Sequence, residues 1–177
     1  MSADLTDSGT KMLTKLTDLP NIGNAIAALV EVHGKGQGRF GIEQEGHMMK
    51  FGYTIVYVPD VLASVEFFER AFGLKRRFVH ESGYGEMDTG TTALAFATHD
   101  LGASNLPDGY VKASQSGEPL GMEIALVTEN VVEAHAKAIA EGAVSIKEPL
   151  MKPWGQTVSY VRCPDGTLVE ICSPVAS

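Results

Sequence analysis

The sequence predicts an α+β protein built from two βαβββ modules, whose curved mixed sheets surround a concave cleft. The first observation is a repeat: Tyr53-Thr-Ile-Val-Tyr-Val-Pro-Asp-Val is matched by Glu123-Ile-Ala-Leu-Val-Thr-Glu-Asn-Val. In each copy an apolar strand runs through an Asp or Asn cap into an amphipathic helix. The second observation is that a Gly, short strand-like runs and a last strand follow each helix. One unit is therefore used twice, and ligand sites of such folds often lie where the copies face each other.

The first module covers about residues 50–99 and opens with an alternating, β-branched run at 51–58, which is typical of a half-buried strand. Asp60 is predicted to cap the helix that follows, and Gly73 is predicted to end it. The strands predicted after this helix lie at 75–80, 84–88 and 91–98.

A segment at 100–120 is rich in Gly, Ser, Asn and Pro and is predicted to be the linker between the modules. The second module covers about residues 121–174. It is predicted to contain a strand at 122–128, a helix at 131–141 ended by Gly142, and strands near 144–146, 157–162 and 168–172. Pro164-Asp165-Gly166 is a strong turn signal between the last two strands.

Residues 1–47 differ from the rest and are predicted to be a helical or flexible leader. Spaced leucines and isoleucines suggest one or two short helices, and a Gly-rich stretch at 34–41 follows them. Gly46-His47-Met48 resembles a scar left by cloning, so two origins are expected for the leader, a cloning artefact or an over-extended gene start, and no function is based on it. Residues 48–177 are predicted to form a single domain.

The composition bounds the function classes. The 177 residues carry a net charge of −8, which argues against nucleic acid and favours cationic or neutral small ligands. Cys163 and Cys172 form no metal-binding or CxxC spacing, as expected of reduced thiols in the cytoplasm. No apolar run approaches the roughly 20 residues that a membrane-spanning helix needs. We therefore expect a cytoplasmic protein that binds neither membrane nor nucleic acid.

Two carboxylates, Glu123 and Glu170, occupy strand positions where apolar residues are expected. Strand alternation places both on the face opposite the helices, toward the concave side of the sheets. An ionised carboxylate removed from water costs several kcal/mol unless it meets a cation, hydrogen-bond donors or a metal. The pair therefore indicates a ligand or metal site. The open alternatives are a solvated face or pairing with an arginine such as Arg76, Arg77 or Arg162.

Aromatic side chains could supply the rest of a pocket. Tyr53 and Tyr57 share one strand face, and Trp154 lies in a Lys-Pro-Trp-Gly-Gln loop, where it is either a stacking surface or part of the core. The histidines form no HxH or HExxH motif, and His135 is predicted to lie on the exposed stripe of the second helix. No nucleophile elbow and no phosphate loop after a strand is present in the sequence.

These segments together resemble the vicinal oxygen chelate superfamily, which groups glyoxalase I, extradiol dioxygenases, fosfomycin-resistance enzymes and bleomycin-resistance binding proteins. The resemblance covers about residues 50–174. It is carried by Tyr57-Val-Pro-Asp-Val, Phe67-Phe-Glu-Arg-Ala-Phe-Gly-Leu, Pro153-Trp-Gly-Gln and Tyr160-Val-Arg-Cys-Pro-Asp-Gly-Thr-Leu-Val-Glu-Ile. It implies the glyoxalase/bleomycin-resistance/dioxygenase fold, a small-molecule ligand and a homodimer, with modules paired either within one chain or between two chains.

The resemblance also implies four positions for metal ligands, and these fall on Tyr53, Ala95, Glu123 and Glu170. Ala95 cannot bind a metal, and tyrosine is a poor ligand for the divalent ions that the family uses. Tyr57 stands where glyoxalase I carries an arginine for the glutathione carboxylate. The ligand sets of glyoxalase I and of the dioxygenases are therefore both incomplete in this chain.

Two functions follow as hypotheses, with a vestigial scaffold as a third. The first is a metal-free binding protein without a cofactor, whose acidic aromatic cleft takes a cationic or aromatic ligand. Its ligand-binding residues would be Tyr53, Tyr57, Glu123, Trp154 and Glu170. The alternative is a glyoxalase I-like lyase or isomerase that holds one divalent metal ion on Glu123 and Glu170, with Glu170 as the catalytic base.

Overall fold

The computed structural model describes residues 49–81 and 83–175, so the predicted leader at 1–47 lies outside the described residues. The first module has the predicted βαβββ order. Its elements are β1 (Tyr53–Val58), α1 (Val61–Phe72), β2 (Lys75–His80), β3 (Tyr84–Asp88) and β4 (Ala93–Thr98). All five agree with the sequence prediction to within two residues, and the largest differences are at β1 and β4, which each begin two residues after the predicted start.

The linker contains secondary structure that the sequence pattern did not predict. A short helix, α2 (His99–Asn105), begins directly after β4, and the hydroxyl of Thr98 caps it by accepting a hydrogen bond from the Leu101 amide. A single turn of 3-10 helix follows at Ala113–Gln115.

The second module repeats the βαβββ order of the first. Its elements are β5 (Ile124–Val127), α3 (Val131–Ala140), β6 (Val144–Met151), β7 (Thr157–Arg162) and β8 (Leu168–Cys172). β6 is longer than the predicted strand near 144–146. β5 is shorter than predicted, so that Glu123 lies one residue before it.

Each module forms one four-stranded mixed sheet, with the strand order β1-β4-β3-β2 in the first and β5-β8-β7-β6 in the second. β1 runs parallel to β4 and β5 parallel to β8, whereas the other pairs are antiparallel. The two modules therefore have the same topology, and β1 and β5 are equivalent edge strands. This confirms the predicted α+β fold class.

Helices α1 and α3 pack against each other and join the two modules through one apolar core. Phe68 and Phe96 of the first module are fully buried, as are Val161 and Val169 of the second. We call the sheet face against this core the inner face and the opposite one the outer face.

His135 on α3 belongs to the buried side of the helix, so the prediction that it lies on the exposed stripe is wrong. It is 4% exposed, and its Nε2 lies 3.0 Å from the Ser145 hydroxyl on β6. The hydroxyl supplies a hydrogen-bond partner inside the protein, which allows a polar ring to be buried.

The start of α1 is fixed by its predicted cap. The Asp60 carboxylate accepts a hydrogen bond of 3.0 Å from the Ala63 amide, one of the amides that a helix leaves without a partner. We expect Asp60→Ala to lower the free energy of unfolding by about 1 kcal/mol, measured by urea denaturation. Asp108→Ala, which removes an exposed linker carboxylate, is the control and should change stability by less than about 0.5 kcal/mol. Equal effects of the two changes would contradict the capping role.

Candidate functional site

The outer face of the second module brings Glu170 against a tyrosine. Tyr160 on β7 lies directly opposite Glu170 on β8, and its hydroxyl donates a hydrogen bond of 2.5 Å to Glu170 Oε2. Both side chains are half-buried, whereas Glu123 is exposed. We call Glu123, Tyr160 and Glu170 the module 2 cluster.

The two carboxylates of the cluster raise the pKa values of Tyr160 and Cys172. The hydrogen bond to Glu170 raises the pKa of Tyr160 to about 12, with smaller contributions from burial and from the charge of Glu123. Burial raises the pKa of Cys172 to about 11, and the two carboxylates add to that effect. The Cys172 thiol therefore stays protonated near neutral pH and is not an activated nucleophile. Glu123 and Glu170 thus both raise the pKa of Tyr160 and of Cys172, although Glu123 lies one residue before β5.

No cation among the described residues neutralises this cluster. Within residues 49–81 and 83–175, neither Glu123 nor Glu170 forms an ion pair, and Lys147, opposite Tyr160 on β6, pairs with neither carboxylate. The three arginines considered as partners are engaged elsewhere: Arg76 with Glu69, Arg77 with Glu86 and Asp88, and Arg162 with backbone carbonyls. The alternative of arginine pairing therefore does not apply to Glu123 or Glu170.

The outer face of the first module carries a polar cluster that the sequence analysis missed. Glu86 on β3 is 7% exposed, accepts a hydrogen bond of 3.0 Å from the Tyr84 hydroxyl and forms an ion pair of 3.0 Å with Arg77. Burial and the neighbouring Glu86 raise the pKa of Tyr84 well above its usual range. We call these three residues the module 1 cluster. Strand alternation through Tyr84-Gly-Glu-Met-Asp would have placed Glu86 on this face, so the signal was present.

Ala95, the position that lacks a metal-binding side chain, lies directly opposite Glu86 and is fully buried. A carboxylate is therefore present beside this position, one strand away, but it is paired with Arg77. Ala97 and Tyr84 are also buried on this face, so it is largely filled by the protein's own side chains.

The predicted aromatic residues are distributed over three places. Tyr53 lies on the outer face of β1, is 48% exposed and contributes to the raised pKa of Tyr84. Tyr57 packs against Tyr110 of the linker, with 5.1 Å between the ring centroids. Trp154, in the loop between β6 and β7, is 60% exposed and donates a hydrogen bond to Gln156. Over the described ranges, no hydrogen bond or aromatic contact links these three rings to Glu123 or Glu170.

The residues of the module 2 cluster do not fit a divalent metal ion. Among the side chains of the described residues, no group of three or more His, Cys, Asp or Glu is arranged to hold one. Glu123 and Glu170 supply two carboxylates, and one oxygen of Glu170 already accepts the Tyr160 hydrogen bond. Catalytic zinc sites use three protein ligands, and Mg²⁺ held by only one or two carboxylates keeps several of its waters instead of occupying a protein-built site. We therefore derive no chemical step through a metal ion.

A groove of about 540 Å³ runs along the edge of β5, between the end of α1 and the start of α3. Leu74, Val127 and Lys137 are among its lining residues, whereas Glu123 and Glu170 are not. The groove therefore follows a sheet edge that no other described strand covers, and it is separate from the module 2 cluster.

Comparison with known proteins places these features in a family. The Glyoxalase/Bleomycin resistance protein/Dioxygenase superfamily matches residues 50–171, which is more than half of the chain. The chain is 29% identical over 124 residues to the uncharacterized protein YwbC of Bacillus subtilis (strain 168), covering 68% of this chain and 94% of that protein.

Solved structures share the fold. A glyoxalase-related enzyme from Fulvimarina pelagi superposes with a TM-score of 0.61 at 18% identity, covering 72% of this chain and 89% of that chain. A family enzyme from Burkholderia phytofirmans PsJN gives the same TM-score and identity, covering 72% of this chain and all of the other. No helix within the described ranges is long and apolar enough to cross a membrane. The repeated βαβββ modules and the family match agree: the chain belongs to the Glyoxalase/Bleomycin resistance protein/Dioxygenase superfamily.

Proposed function

We propose that this chain is a small-molecule-binding protein that holds a cationic, aromatic ligand on the outer face of its second module, without a metal ion. The observation that carries the proposal is the difference between the two clusters. Glu86 of the first module has a guanidinium partner at 3.0 Å, whereas Glu123 and Glu170 have no ion-pair partner in the described part of the chain. A half-buried carboxylate gains most from a partner of opposite charge, and a ligand can supply that charge.

The aromatic part of the proposal rests on the tyrosines. The Tyr160 ring lies beside Glu170, and tyrosine faces attract cations and stack on planar groups. Tyr160 also fixes one oxygen of Glu170, which leaves the other oxygen of Glu170 and the Glu123 carboxylate to receive a cation. An amidinium on an aromatic ring would meet both requirements, because its two N–H groups can bind a carboxylate in a fork.

Isothermal titration with benzamidinium tests this function, and benzamide is the matched neutral probe. We expect one benzamidinium to bind per chain. Benzamide should bind at least about tenfold more weakly, because benzamide lacks the positive charge. Titration with Mg²⁺ and Mn²⁺ in the same buffer tests the metal-dependent lyase or isomerase hypothesis. Tight stoichiometric metal binding, or equal affinity for the two probes, would contradict the proposal.

We also propose that a second copy of this chain completes the site. The edge strands β1 and β5 expose apolar side chains on their outer faces: Ile55 on β1 is 41% exposed and Val127 on β5 is 65% exposed, and Phe51, two residues before β1, is 73% exposed. Exposed edges and apolar stripes of this kind are suited to pairing with another chain. Pairing between chains would bring Tyr53 of one copy opposite the module 2 cluster of the other.

The two free cysteines and the charge of −8 further favour a cytoplasmic protein that does not bind nucleic acid.

The dimer gives a prediction of its own. Ile55→Arg places a charge in the apolar stripe of β1, so we expect it to shift the protein from dimer to monomer in sedimentation velocity and to weaken benzamidinium binding. Val132→Arg is the control, because Val132 is equally apolar and 64% exposed but lies on α3. A wild-type protein that is already monomeric at micromolar concentration would contradict this arrangement.

A further inference from the structure

Arg162 lies on the outer face of β7, two residues after Tyr160, and its guanidinium is bound to the linker. Its Nη2 donates hydrogen bonds of 2.7 Å to the Ala113 carbonyl and 2.6 Å to the Ser116 carbonyl. Its Nη1 donates one of 3.4 Å to the Gly117 carbonyl. The guanidinium is therefore occupied by neutral backbone acceptors at the turn of 3-10 helix and just after it.

A carboxylate lies within reach of the same guanidinium. Arg162 is opposite Leu168, and Tyr160 is opposite Glu170, so Arg162 and Glu170 are diagonal neighbours on adjacent strands. Diagonal neighbours lie about 7–8 Å apart, within reach of a long side chain. A guanidinium binds a carboxylate more strongly than a carbonyl, because both partners are charged. The side chain nevertheless turns to the linker.

The first module shows the arrangement that the second one lacks. There Arg77 also reaches across the sheet, but it pairs with the carboxylate of Glu86. No linker carbonyl binds Arg77 in the described part of the chain. Arg77 lies on β2 and Arg162 on β7, which are not equivalent strands. The first module therefore shows that an outer-face arginine can reach a carboxylate on the neighbouring strand, whereas Arg162 binds the linker backbone instead.

Contacts with both modules hold the linker in place beside Arg162. The turn between β7 and β8 passes so close to it that a Cβ on Gly166 would lie 2.2 Å from the Ala113 carbonyl carbon. Ahead of this point, the Tyr110 hydroxyl lies 2.7 Å from His99 Nδ1, and its ring packs on Tyr57. The carbonyl acceptors are thus fixed in place from both modules.

We propose that linker residues 113–117 hold Arg162 away from Glu170 and so keep the module 2 cluster selective for cations, an inference that rests on the proposed function. With the linker seated, the cluster has no counter-ion within residues 49–81 and 83–175 and accepts a cationic ligand. If a positive charge at position 162 is no longer held by the carbonyls, it pairs with Glu170 and competes with that ligand.

Two substitutions of Arg162 test this inference, because it and a purely structural role of Arg162 predict opposite orders for their effects on binding. Lysine cannot satisfy three carbonyls with the fixed fork of arginine, so its ammonium is released toward Glu170. We expect Arg162→Lys to weaken benzamidinium binding at least about fivefold. Arg162→Met removes the charge, and we expect its affinity to stay within about twofold of the wild type. A purely structural role for Arg162 predicts the reverse order, because lysine is then the milder change. The reverse order, or loss of binding in both variants, would overturn the inference.

A measurement without ligand separates this inference from the proposed function. In nuclear magnetic resonance spectra of the otherwise wild-type protein, Glu170→Gln should leave the Arg162 guanidinium signals unchanged, whereas Glu86→Gln should shift those of Arg77. A shift of the Arg162 signals in Glu170→Gln would overturn the inference even if benzamidinium binds. Failure of the wild type to bind benzamidinium, with these signals as expected, would overturn only the proposed function.

Discussion

Glu170→Gln is expected to weaken benzamidinium binding by about tenfold or more, the largest effect on binding among the changes considered. The substitution removes the negative charge of the half-buried carboxylate but keeps an oxygen that can accept the Tyr160 hydrogen bond. Hydrogen bonds to charged groups contribute about 1.5–3 kcal/mol, which corresponds to a factor of about ten to a hundred. Titration calorimetry of the variant with benzamidinium and with benzamide measures the change, and benzamide binding should be nearly unaffected.

Glu86→Gln is the matched control for this prediction. It changes the same kind of side chain on an equivalent outer face, but there Arg77 already neutralises the carboxylate. We therefore expect Glu86→Gln to change benzamidinium affinity by less than about twofold. If both substitutions weakened binding equally, charge at the module 2 cluster would not be what selects the ligand.

Gly166→Ala is expected to cause the largest loss of stability, more than about 3 kcal/mol in the free energy of unfolding. Two causes add. Gly166 has a φ of 90°, where a side chain strains the backbone, and its Cβ would lie 2.2 Å from the Ala113 carbonyl carbon and 2.3 Å from the carbonyl oxygen. Relief requires movement of the turn or of the linker, because both contacts are with backbone atoms. Urea denaturation measures the loss.

Gly155→Ala separates the two causes. Gly155 has a φ of 87°, but a Cβ there would meet nothing within 4 Å. Its substitution should therefore cost only the backbone strain, about 1–2 kcal/mol. A loss of stability in Gly166→Ala no larger than in Gly155→Ala would mean that the linker is not seated against the turn.

Local signals in the sequence were sufficient for most of the secondary structure. The strand–cap–helix repeat predicted β1 and α1, and the Asp60 cap lies where the pattern placed it. The linker helix α2 was missed, because its seven residues include Gly102 and have no clear apolar stripe. Gly102 is needed there for packing: a Cβ would lie 2.7 Å from the Tyr110 hydroxyl and 2.9 Å from the Tyr57 ring. A glycine selected by a distant contact gives no local helix signal.

The prediction for His135 failed for a related reason. Its nearest polar neighbours on the helix, Glu133 and Lys137, are exposed, but the Ser145 hydroxyl on β6 gives the His135 ring a hydrogen-bond partner that makes its burial acceptable. Helical periodicity describes which residues share a face and does not describe which polar groups will find partners there.

The sequence by itself determined the two βαβββ modules and the side of the sheet toward which Glu170 points, because strand and helix periodicities are local properties of the chain. Only the tertiary structure decided which carboxylate receives a guanidinium. Arg77 pairs with Glu86, nine residues away, whereas Arg162 binds carbonyls that lie 45–49 residues earlier in the chain. The position of the folded linker sets that choice, since side-chain pairing depends on distances that no local pattern encodes.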